Sequence, residues 1–101
     1  MRTKVIWSKN AKEELLSIIR YWNKRNKSSA YSQKIKFHVE LAINLIKKND
    51  RLGIKSNVKK VRMRLVLNNY YLIYEIGIHQ IYILHFWDVR QNPIKTKFEK
   101  E

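Results

Sequence analysis

Apolar side chains recur at two different periods along this chain, and the change of period decides what it can fold into. Ala11, Leu15, Ile18, Ile19 and Trp22 fall on the three-and-four spacing that lines one face of a helix. Tyr31, Ile35, Val39, Ala42, Ile43 and Ile46 repeat that spacing, and His38, Leu41 and Leu45 widen the stripe. From Val61 onward the period drops to two. Val61, Met63, Leu65 and Leu67 alternate with Arg62, Arg64 and Val66, as a half-buried strand requires, so Arg62 and Arg64 share a face. Two helical stripes need a sheet to cover them, and the order of the patterns predicts an α+β fold with a helical hairpin packed on one sheet face.

The boundaries follow from punctuation. Val5, Ile6 and Trp7 form an N-terminal strand that can join one sheet edge. Ser8 and Asn10 suit a helix start, and Asn10 with Glu13 makes a capping box. The first helix ends near Asn26; Ser28 and Ser29 can cap a second that ends near Asn49. The short polar break at 23–29 favours an antiparallel helical hairpin. Asn68-Asn69 is a tight turn into a strand Tyr70–Ile76, because Asn tolerates positive φ. A second turn at Gly77–His79 leads into Gln80–Trp87, completing a small antiparallel β-sheet of three consecutive strands. With 101 residues and no linker or repeat, the expectation is one domain over 1–101, since two cores would each be too small.

Charge narrows the partners. The net charge of +14 gives the chain a field that attracts phosphates or acidic protein surfaces. Residues 1–60 hold 16 Lys and Arg against 4 Asp and Glu, so the excess sits in the first half. A Lys-rich solvated surface is the plainer account of any single lysine. Zero cysteines exclude disulfides and thiol nucleophiles, and His38, His79 and His85 show no ligand spacing, so neither a metal nor another cofactor is expected. The longest apolar stretches, such as Ile81–Trp87, are strand-sized, and Met1-Arg2-Thr3-Lys4 leads into no signal-like apolar region; a cytoplasmic address without a membrane span is expected.

Candidate chemistry gathers on arginine. Arg62 and Arg64 on one strand face, with Arg90 just past the last strand, can converge on one sheet edge as a phosphate-sized site. The alternative is an exposed sheet face decorated with arginines. Asp88 can pair with Arg90 as a strand-end salt bridge before Pro93. His85 can act as acid or base near neutral pH, or simply pack. Tyr70, Tyr71, Tyr74, Tyr82 and Trp87 can stack on bases or fill the core. Lys55, Lys59 and Lys60 precede the arginine-bearing strand and can extend a nucleic-acid-binding phosphate track.

The segments "WSKNAKEELLSIIRYW", "VRMRLVLNNYYLIYEI" and "IYILHFWDVRQNP", in this order between Val5 and Lys95, resemble the RelE/ParE superfamily of bacterial toxin-antitoxin modules, also called plasmid stabilisation proteins. The resemblance implies a growth-inhibiting toxin encoded beside a cognate antitoxin, whose flexible segment wraps the toxin and masks its active surface. In the branch that cuts messenger RNA on the ribosome, Arg62 and Arg64 stand where two lysines orient the phosphate, and Arg90 stands where an arginine follows the last strand. Tyr71 takes the place of that branch's arginine after the hairpin tyrosine, and no tyrosine follows Trp87 to match its C-terminal one. The resemblance thus offers catalytic positions Arg62, Arg64 and Arg90, with His85 or Tyr71 as proton carrier. The other branch poisons DNA gyrase with no catalytic constellation of its own, and a third possibility is a member that only binds antitoxin.

Overall fold

The computed structural model describes residues 4–90. The elements run β1 (Lys4–Trp7), α1 (Lys9–Asn26), α2 (Ala30–Lys48), β2 (Ile54–Lys55), β3 (Val61–Val66), β4 (Tyr70–Ile76) and β5 (Gln80–Asp88). They form one five-stranded sheet in the order β1-β5-β4-β3-β2. The sheet is mixed: β1 lies parallel to β5 at one edge, and the other pairings are antiparallel. The expected meander is β3-β4-β5, and β1 takes the edge foreseen for it. The two-residue β2 was too short to show a period.

Ser8, not Asn10, caps α1. Its Oγ accepts from Ala11 N at 3.0 Å and donates to Leu84 O at 2.9 Å, while Ser8 N donates to Ile83 O at 2.8 Å. Asn10 lies inside the helix, so the Asn10–Glu13 capping box is not the device used. One serine thereby satisfies a helix end and ties α1 to β5. The helix stops at Lys27, held in the left-handed region at φ 50. Buried Ser32 of α2 donates to Asn23 Oδ1 of α1, a polar stitch across the hairpin.

The main core joins Ala11, Ile35, Val39, Ala42 and Ile46 of the helices to Val66, Tyr70, Leu72, Tyr74, Ile81, Ile83 and Phe86 of the sheet. A smaller cluster on the opposite face contains Val61, Met63 and Ile73, with Tyr71, Leu84 and Trp87 packed against it. The faces of β3 are therefore assigned by its partner strand. Arg62 pairs with Tyr74 and Arg64 with Leu72, and residues opposite each other in a ladder share a face. Both arginines lie on the helix side, half-buried, not on a bare sheet face. Leu41 and Leu45, read as part of the core stripe, are 42% and 43% exposed and join Phe37 on the outer face of α2. The β3–β4 turn is centred one residue earlier than expected: Leu67 (φ 53) and Asn68 (φ 61) take the two left-handed positions of a tight hairpin turn. Between Ile73 and Tyr74 the β4–β5 register skips Leu84, a bulge that lets β5 pair on both sides of it.

Candidate functional site

Arg90 leaves β5 into a cage of three side chains. Buried Asp88 accepts from Arg90 N at 2.9 Å and from its Nε at 3.4 Å, as the strand-end salt bridge required. Arg90 Nη2 donates to the Tyr70 hydroxyl at 3.1 Å, and Trp22 Nε1 donates to the same oxygen at 3.0 Å. The guanidinium carbon stands 5.7 Å from the Trp22 ring centre and 5.5 Å from that of Tyr70, within cation–π range. Partial desolvation pulls the Arg90 pKa down, but the hydrogen bond and charge of Asp88 outweigh it and the net shift is upward. Burial pushes the Tyr70 phenol up to about 12, so it holds its proton between these donors. Arg90 nevertheless keeps 43% of its side chain exposed, a fixed cation at the surface. Asn92 and Pro93, expected to stop the chain here, lie outside the described residues.

Arg62 is positioned by other means. Its Nη1 donates to Gly53 O at 2.8 Å and to Arg51 O at 3.1 Å, so the loop before β2 orients it through backbone carbonyls. Tyr74 builds that loop: its hydroxyl accepts from Gly53 N at 2.9 Å and donates to Asp50 O at 2.8 Å. Tyr70 and Tyr74, the anchors for Arg90 and Arg62, are four residues apart along β4, roughly 13 Å. The two arginines thus occupy opposite ends of one face. Arg64 lies between them, opposite Leu72, its Nε buried with no hydrogen-bond partner among the described residues.

The two candidate proton carriers lie elsewhere. His85 Nδ1 sits 3.1–3.2 Å from the Glu14 carboxylate, which also accepts from Phe86 N at 3.0 Å. Glu14 replaces a neighbouring strand where β5 runs past β1. Tyr71, opposite Leu65 and Trp87, packs in the smaller cluster on the far face of the sheet. Sequence reasoning missed Glu14, Trp22 and Tyr70 as the groups that hold these candidates. Trp22 was visible only as a helix-spaced apolar position, and Tyr70 as a strand aromatic that could stack on a base or fill the core.

Lys55, Lys59 and Lys60 do come together with Arg62. They line a cleft of about 780 Å³ beside Arg51, with Asp50 as its acidic member and Val58, Ile76 and Ile78 as apolar walls. Among the described residues no helix is long and apolar enough to cross a membrane.

Comparison with known proteins places this arrangement. The chain is similar to a solved structure described as the chromosomal ParDE TA system from P. aeruginosa, at 13% identity and a TM-score of 0.69, over 85% of this chain and 95% of that one. At that identity the likeness speaks for the fold alone. Comparison with curated proteins finds no match. The family model described as ParE toxin of type II toxin-antitoxin system, parDE, matches residues 5–93. The chain belongs to the ParE toxin family, and is the toxin of a type II toxin-antitoxin system, neutralised by its antitoxin.

Proposed function

We propose that this toxin arrests growth by binding DNA gyrase, not by cutting messenger RNA, that it does so in the cytoplasm as a single domain, and that its neutralising partner is a ParD-type antitoxin. One observation carries the choice of target. RNA cleavage by the ribose hydroxyl needs a proton acceptor, a proton donor and cations gathered within hydrogen-bond reach of one phosphate. Here Arg62 is committed to Gly53 and Arg51, Arg90 to Asp88 and Tyr70, and His85 to Glu14, while Tyr71 packs in the cluster on the opposite sheet face. Such dispersal suits a binding surface better than an active site.

The outer face of the helical hairpin offers protein-binding character. Phe37, Leu41 and Leu45 follow at intervals of four and are 58%, 42% and 43% exposed, an apolar stripe of the kind that marks interaction sites. The deciding experiment runs purified toxin in a gyrase supercoiling assay beside a cell-free translation reaction with mapping of mRNA ends. Inhibited supercoiling with intact mRNA is expected. New mRNA ends on translating ribosomes with unimpaired gyrase would overturn the proposal in favour of the endoribonuclease reading.

A further inference from the structure

A cleft of about 780 Å³ between the β2–β3 connection and the β4–β5 turn gathers basic side chains. Arg51, Lys55, Lys59, Lys60 and Arg62 line it against Asp50. Lys55 and Arg62 are direct cross-strand partners, so their side chains leave the same face of the β2–β3 ladder. Like charges in that relation destabilise a sheet pair. Arg62 is nonetheless held in place: among the described residues its hydrogen bonds go to the carbonyls of Gly53 and Arg51, which orient the guanidinium.

The turn carrying Lys59 and Lys60 is equally fixed. Ser56 Oγ accepts from Val58 N at 3.0 Å and donates to Val61 O at 2.8 Å, closing the loop around the two lysines. Lys60 sits at φ 67, a left-handed conformation that is uncommon for a residue with a side chain, and its carbonyl accepts from Ile76 N at 2.8 Å. A set of cations on braced backbone, like-charged neighbours included, is arranged for an anion that bridges them.

We propose that this cleft is a phosphodiester-backbone site that grips duplex DNA, independently of the Arg90 cage. Four features favour a duplex backbone over other polyanions. Among the described residues none that lines the cleft is aromatic, whereas single-strand sites use aromatic platforms for unstacked bases. Lysine predominates, and its point charge suits sequence-independent contact better than the bidentate fork of arginine. Val58, Ile76 and Ile78 give apolar walls along which lysine stems can lie while the ammonium groups reach out. The cleft is also at a sheet edge, open to a long rod-like ligand. The choice of DNA rests on the gyrase reading only in that gyrase would present such a duplex to the toxin.

The test is fluorescence anisotropy of a short labelled DNA duplex of mixed sequence, titrated with full-length toxin at several salt concentrations. The cleft variant is Lys55→Gln/Lys59→Gln/Lys60→Asn, with Asn chosen because it tolerates positive φ. The control, Lys9→Gln/Lys12→Gln/Lys24→Gln, removes the same charge from exposed positions of α1. The cleft variant should bind at least about 10-fold more weakly, with a salt slope shallower by about 2.7, near 0.9 for each phosphate that a lysine no longer neutralises. The control should change affinity by less than about 2-fold. Circular dichroism establishes that both variants are folded, and the single Lys59→Gln change, which leaves Lys60 and β2 untouched, should show a smaller loss in the same direction. Equal losses in the two triple variants would overturn the proposal, leaving only a general field. So would a polyglutamate peptide that displaces the duplex at lower concentration, for that would make the cleft a peptide site. Gyrase is absent from this assay, so failure of the gyrase reading leaves its outcome unaffected.

Discussion

The Arg90 guanidinium donates to the Tyr70 hydroxyl at 3.1 Å, joining the exit of the last strand to the start of β4 across the sheet. Asp88 holds the same guanidinium from within its own segment. The arrangement fixes the direction of a cation that is still 43% exposed. Arg90→Ala should therefore abolish growth arrest while lowering stability by about 1 kcal/mol or less, because the hydrogen bonds it removes are part-exposed. Arg90→Lys should restore toxicity only in part, since lysine supplies charge without the paired donors. Growth after induction, read beside thermal melts, checks this; a folded Arg90→Ala protein as toxic as wild type would reduce Arg90 to a partner of Asp88.

Tyr70 gives an alkaline signature. Its pKa, pushed up to about 12 chiefly by burial, lies above the usual phenol value of 10.0. A group raised in the folded state contributes stability that is fully present below its unfolded pKa and is lost as pH rises through the folded one. Between pH 10 and 12 this phenol should erode stability by up to about 1.4 kcal/mol per pH unit. Tyr70→Phe should be less stable at neutral pH, because Trp22 Nε1 loses its acceptor, yet its stability should fall less steeply over that window. Urea melts at successive pH values read both effects.

Gly53 admits no side chain. A Cβ there would stand 2.8 Å from the Tyr74 hydroxyl oxygen and 2.9 Å from Met63 O, and backbone oxygen cannot swing aside. Gly53→Ala should cost about 1–3 kcal/mol through overpacking and displace the loop that orients Arg62. Tyr74→Phe should cost a similar amount for a different reason, leaving the buried Gly53 N–H without its acceptor. The double variant should keep most of the Gly53→Ala penalty, because Met63 O remains in the way. A double-mutant cycle by chemical denaturation measures it.

Lys27 offers the opposite change. It ends α1 at φ 50, a conformation that costs a side-chain-bearing residue and suits glycine, and it is exposed. Lys27→Gly should raise stability by about 0.5–1 kcal/mol without altering toxicity. A melting temperature at or below that of wild type would show that the lysine contributes something besides helix termination.

Much of this architecture was legible because it rests on local periods. Both helices and the three long strands were readable from spacing, and Asp88–Arg90 was readable because the partners are two residues apart. The failures share a cause. β3 has apolar residues on both parities near its end, Leu65 and Val66, so alternation alone could not say which face meets the helices; pairing with Leu72 and Tyr74 decides it. Leu41 and Leu45 looked like core because a helical wheel records polarity, whereas burial depends on where the sheet ends. The turn moved because Leu67 accepts a left-handed backbone that propensity assigns to Asn68 and Asn69. Glu14 with His85, and Trp22 with Tyr70, join positions 71 and 48 residues apart, and only the assembled fold brings them together.

Glu14 and His85 separate a structural role from a catalytic one. The Glu14 carboxylate receives both the Phe86 N–H, a strand-edge donor that β1 does not reach, and the His85 ring nitrogen. Glu14→Ala should leave the Phe86 N–H without its protein acceptor and cost about 1–3 kcal/mol, whereas Glu14→Gln keeps an acceptor oxygen and should cost less. His85→Ala keeps the Phe86 hydrogen bond to Glu14 and removes the partly exposed pairing with that carboxylate and the edge-on ring contact with Trp87, so its cost should be smaller than that of Glu14→Ala. If the toxin acts by binding gyrase, His85→Ala should still arrest growth, since no proton has to be moved. Loss of toxicity in a folded His85→Ala protein, with unchanged binding to gyrase, would instead assign the imidazole to proton transfer and revive the RNA-cleaving reading.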